Sequence, residues 1–119
     1  MGKNYKVITL CGSTRFKDVF LEVQKDLTLK GNIVISVGMF SNKDTNIFEG
    51  NTKEEIKEIK DMLDDMHKRK IDMSDEIFVI NVDGYIGEST KSEIEYALKT
   101  GKKVNYLERN KNENWKKKI

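Results

Sequence analysis

Short β-branched runs alternate with longer amphipathic stretches along this chain, and that alternation restricts its fold more than any other feature. Tyr5 to Leu10, Ile33 to Val37, Glu76 to Val82 and Lys103 to Leu107 are apolar runs bounded by turn residues, the pattern of buried strands. Between them, Phe16, Val19, Phe20, Val23 and Leu27 recur at helical spacing and predict a helix from about Arg15 to Lys30. Ile56, Ile59, Leu63 and Met66 form the expected buried stripe of a second helix, Thr52 to about Met73, which Thr52 and Glu55 open as a capping box. Ile94, Ala97 and Leu98 are the inward residues of a third, Ser89 to Thr100. Gly31 and Gly101 stand where helix C-caps belong.

Strands that alternate with helices are joined by crossovers, so the sheet is parallel. Right-handed crossovers place helices on both of its faces. The expected fold class is α/β, a flavodoxin-like three-layer α/β/α domain with a four- or five-stranded parallel sheet in the order 2-1-3-4(-5). In that order strands one and three are neighbours, and the switch point lies between them. The 119 residues amount to one domain, taken as residues 1–110 with a basic tail at 111–119.

Composition narrows the class further. At 37% hydrophobic and 35% charged, the chain reads as a soluble globule rather than a disordered segment. No apolar run approaches the roughly 18 residues of a membrane span. Met1 to Lys6 is polar and lacks the apolar stretch of a signal peptide, which with a lone cysteine predicts a reducing, cytoplasmic setting. With one histidine and one cysteine, no zinc site or other cofactor is expected. The net charge of +2 is uneven, and the basic end, with Lys116, Lys117 and Lys118, reads as a solvated tail. No aromatic residues are interleaved on a basic face, so no nucleic-acid partner is expected.

Two turns carry the polar chemistry. The first is Cys11-Gly12-Ser13-Thr14-Arg15, between strand one and helix one. Gly12 permits a tight turn and a close ligand. Ser13 and Thr14 offer hydroxyls at a helix N-terminus, where an anion is favoured, and Arg15 adds a bidentate phosphate contact. The alternative is that Ser13 or Thr14 caps the helix and Arg15 is solvated. The Gly-Lys-Ser/Thr ending of a Walker loop is missing. The second turn is Gly87 to Glu95, after strand three, with Gly87, Ser89, Thr90 and Glu93 as candidates. Glu93 either completes a capping box with Thr90 or serves as a nucleophile toward an anomeric carbon. Glu95 lies about 200° round the helix from Glu93 and reads as solvated.

Other candidates are less specific. His67 is either part of a charged helix face or a proton donor near a leaving base. Cys11 reads as packing at a strand end. Phe40 and Phe48, in the long loop Gly38 to Asn51, either stack on a base or pack in the core. Asp72 and Asp75 mark the junction before strand three, where one of them turns the chain.

Ile8 to Arg15, together with Asp75 to Val82 and Gly87 to Ala97, resembles the two signatures of the nucleoside 2-deoxyribosyltransferase superfamily, closest to its 2′-deoxynucleoside 5′-monophosphate N-glycosidase branch. The resemblance implies cleavage of an N-glycosidic bond by hydrolysis or base transfer, with a nucleoside or nucleotide as the small-molecule partner and a homodimer or larger assembly. It implies Glu93 as nucleophile and Ser13 and Arg15 as 5′-phosphate ligands. The family's carboxylate late in helix two falls at or near His67, where the match fails because His67 is not a carboxylate; Asp65 or Asp64 replaces it at the base only if the helix register differs. The chain also departs from the family at Thr9 and Leu10, where many members carry an aromatic hydroxyl, and at Gly87, where many carry a polar side chain. The alternative reading is a non-catalytic module that senses or sequesters a nucleotide or an NAD-derived molecule.

Overall fold

The computed structural model describes residues 4–40 and 48–108. In chain order its elements are β1 (Val7–Gly12), α1 (Lys17–Leu29), β2 (Ile33–Ile35), α2 (Lys53–Asp72), β3 (Glu76–Ile80), α3 (Glu88–Lys99) and β4 (Lys103–Tyr106). The four strands form one parallel sheet in the order β2-β1-β3-β4, the flavodoxin-like arrangement. The tail at 111–119 lies outside the described residues.

Period-two alternation divides the core between the two faces of the sheet. Leu10 and Ile80 point to one face and pack with Phe20 and Val23 of α1. Cys11, Ile77 and Val79 point to the other and pack with Ile71 of α2 and Ala97 of α3. This division follows from right-handed crossovers. The step from β1 to β2 runs opposite to the steps from β2 to β3 and from β3 to β4, so among the described residues α1 is the one helix on its face.

Local chemistry sets the element ends. Thr52 and Glu55 form the expected reciprocal capping box, at 2.8 and 3.1 Å. Asp75 starts β3 by accepting the Val7 N–H through its carboxylate at 2.8 Å, while its own N–H reaches the Val7 carbonyl at 2.8 Å. After β3, the Asn81 side chain clamps the backbone of Glu108 in both directions, accepting its N–H at 2.8 Å and donating to its carbonyl at 2.5 Å. Gly12 closes β1 opposite Ile80, where a Cβ would stand 2.8 Å from the Ile80 carbonyl oxygen.

Two expected core positions are corrected. Leu98 is 61% exposed, because α3 turns Glu93, Ile94 and Ala97 toward the sheet and Leu98 falls outside that arc. Met66 is exposed as well, and the buried line of α2 runs through His67 and Ile71. Helix α1 starts at Lys17 rather than Arg15, which leaves Ser13 to Phe16 as a turn.

Candidate functional site

The loops after β1 and β3 meet over the C-terminal ends of these neighbouring strands and border a cleft of about 720 Å³. That volume suits a small molecule of nucleotide size. Gly12, Ser13 and Thr14 line it from the first loop, and Gly87, Ser89, Thr90 and Glu93 from the second. The side opposite carries Phe40 and Phe48 together with Asp64, His67 and Lys70 of α2.

Glu93 is buried at the floor of this cleft, one turn into α3. The capping-box alternative is overturned. The N-cap of α3 is Gly87, the cap receives no side-chain bond, and Thr90 lies inside the first turn. Glu93 is thereby released from any role in its own helix end. Burial raises its pKa to about 7, with Asp64 adding to the rise. The Cys11 thiol, which donates to the carboxylate, and the Lys68 and Lys70 ammonium groups hold that rise in check. The thiol is itself pushed well up by burial and then by Glu93, so it is inert as a nucleophile.

His67 is buried beside Glu93, contrary to the exposed-face alternative. Its Nε2 lies 3.0 Å from the Leu10 carbonyl, 3.6 Å from Cys11 Sγ and 4.0 Å from Glu93 Oε1. A carbonyl only accepts, so Nε2 carries the proton and donates it to Leu10. Burial, and next the charge of Lys70, lowers the pKa of His67. The 4.0 Å contact with Glu93 is therefore not an ion pair, because burial drives both partners toward their neutral forms.

The neighbouring carboxylate is Asp64. The expectation of Asp65 at the base is corrected, since the Asp65 side chain is 72% exposed and faces Arg69 at 3.7 Å on the outer side of α2. The helical phase decides this. Asp64 and His67 are three residues apart and share a face, and Asp65 stands about 100° round from Asp64.

The first loop does not cap α1. Phe16 holds the N-cap position without a side-chain bond. Ser13 Oγ instead accepts from the backbone N–H of Arg15 at 3.4 Å and from its Nε at 3.1 Å. The guanidinium lies 4.5 Å over the Tyr85 ring and reaches the Tyr85 hydroxyl at 3.3 Å. Arg15 does not itself line the cleft, and is held beside it by Ser13 and Tyr85, which do. Phe40 is both wall and core, packing edge-on against Phe20 at 5.3 Å, and Phe48 lies under the Lys60 ammonium at 5.5 Å.

Sequence reasoning missed Tyr85 and Lys70 as lining residues, and it named Asp64 with Asp65 without separating them. The signal for Tyr85 was an aromatic residue between the glycines of the second turn, Gly84 and Gly87. Comparison of the chain with protein-family models, curated proteins and solved structures finds no match. Among the described residues no helix is long and apolar enough to cross a membrane.

Proposed function

We propose that this domain cleaves the N-glycosidic bond of a nucleoside or, preferentially, a (deoxy)nucleoside 5′-monophosphate. The observation that carries the reading is Glu93, a buried carboxylate in a nucleotide-sized cleft, unused as a cap and with a pKa near neutrality. In this reading a Glu93 oxygen attacks C1′ and the bond to the base breaks, leaving a glycosyl ester. Positive charge develops at C1′ during that step and favours the ionised carboxylate that burial disfavours, so the interaction is strongest in the transition state. Water then resolves the ester in a hydrolase, and a second base resolves it in a transferase.

The remaining groups divide the substrate between them. Ser13, Thr14 and the braced Arg15 take the 5′-phosphate. Asp64, with Phe40 and Phe48 near it, faces the base and exchanges a proton with it as it leaves. His67 packs beside Glu93 at 4.0 Å without donating to it, because its own N–H is committed to Leu10. The resemblance to deoxyribosyltransferases supports the same assignment and carries a homodimer with it, which light scattering of the purified chain tests.

The deciding experiment incubates the protein with the four deoxynucleoside 5′-monophosphates and measures free base by chromatography. Release that disappears in Glu93→Ala is the expected result. Tight nucleotide binding without release, unchanged in Glu93→Gln, sinks the reading in favour of a binding module.

A further inference from the structure

The chain has one cysteine and one histidine, 56 positions apart, and folding brings them together with a buried carboxylate. Cys11 Sγ lies 3.6 Å from His67 Nε2, Nε2 lies 4.0 Å from Glu93 Oε1, and the three atoms fall within 4.8 Å of one another. Atoms so spaced surround a point roughly 2.0–2.5 Å from each, the range that holds the zinc–nitrogen, zinc–oxygen and zinc–sulfur bond lengths. We propose that Cys11, His67 and Glu93 form a three-ligand site for a thiophilic divalent cation of the zinc type, with its fourth position open to the cleft.

The donor set favours that class of ion. Thiolate and imidazole select zinc, cobalt and cadmium over magnesium and calcium, which take oxygen ligands. Three protein ligands with an open position is the pattern of a site that exchanges its fourth ligand, whereas purely structural sites close with four. The ion enters from the cleft, which His67 and Glu93 line, and Cys11 lies beneath them.

Binding is a proton-releasing exchange. The thiol gives up its proton, as does the Glu93 carboxyl to the extent that it holds one, and two anionic donors then face the cation. The imidazole presents its Nε2 lone pair, its proton moves to Nδ1, and the hydrogen bond to the Leu10 carbonyl is given up. Lys68 and Lys70 oppose the cation and Asp64 favours it. The site goes beyond the glycosidase reading and does not depend on it. Where that reading holds, the ion occupies the nucleophile and competes with the nucleotide.

The test is a cobalt titration of the reduced full chain, followed by its thiolate-to-metal charge-transfer absorption. Because the chain has a single cysteine, any such band reports Cys11. The expected result is one cobalt per chain, displaced by one zinc, with affinity weakened at least tenfold in both His67→Gln and Glu93→Gln. Each variant is first shown by circular dichroism to be folded, and Cys11→Ser loses the band. No band at millimolar cobalt overturns the proposal. So does a band of unchanged affinity in both His67→Gln and Glu93→Gln, or a stoichiometry of one ion per two chains. The readout is independent of base release, so failure of the site and failure of the glycosidase reading are seen separately.

Discussion

At the scale of single residues, Glu93 links stability and activity through one proton. Its folded pKa is about 7 against an ordinary 4.5, so the folded state holds the proton more tightly than the unfolded chain does. The stabilisation this gives is complete below pH 4.5, declines as pH rises toward 7, and is absent above it. The neutral Glu93→Gln is therefore expected to melt higher than wild type at pH 8, by an amount on the order of 3 kcal/mol at most, with the gap closing near pH 4.5. Melting curves across that range check the sign. In the proposed reaction the ionised form is the nucleophile, so kcat/KM for base release is expected to rise with pH through an apparent pKa near 7. Tyr85 permits a second test. Tyr85→Ala removes both the ring under Arg15 and the hydroxyl it reaches, and about tenfold in KM for the monophosphate is expected, with little change for the unphosphorylated nucleoside. Tyr85→Phe keeps the ring and shows a smaller effect.

At the scale of elements, the close pairing of β1 with β3 sets how near the two loops approach. Gly12 has no side chain where one would meet the Ile80 carbonyl at 2.8 Å and the Phe20 ring at 3.3 Å. Gly12→Ala must push these strand ends apart, and about 1–3 kcal/mol of destabilisation is expected by urea unfolding, together with weaker nucleotide binding. Helix α2 is anchored at its start by the capping box, and Thr52→Ala is expected to cost about 1 kcal/mol in the same assay. The two substitutions separate pure stability from site geometry, since Thr52 stands far along α2 from His67 and only Gly12 borders the cleft.

At the scale of the whole molecule, the order β2-β1-β3-β4 makes one crevice from two loops about seventy positions apart in the chain. A nucleotide that bridges them is expected to raise the melting temperature, by about 2.7 kcal/mol of stabilisation at one hundred times its dissociation constant. Thermal shift with wild type and Arg15→Ala measures this, and a rise unchanged in the variant removes Arg15 from the phosphate site.

Strands, helices and sheet order were legible in the chain because hydrophobic periodicity is local and each burial face repeats within a few residues. The two turns were legible for the same reason, since glycine and hydroxyl residues punctuate them. What each polar side chain does was decided only by tertiary packing. Spacing allowed Glu93 to cap its own helix, and the start of α3 at Gly87 removed that option. His67 among charged neighbours matched a solvated face, yet the rotation of α2 against the sheet buried it and set the exposed Asp64 on the cleft side and Asp65 on the outer side. A rotation of about 100° separates adjacent residues on a helix, and no local pattern specifies it when polar and apolar residues share the buried line. The meeting of Cys11, His67 and Glu93 is of this kind, a product of three elements packed together rather than of any one segment.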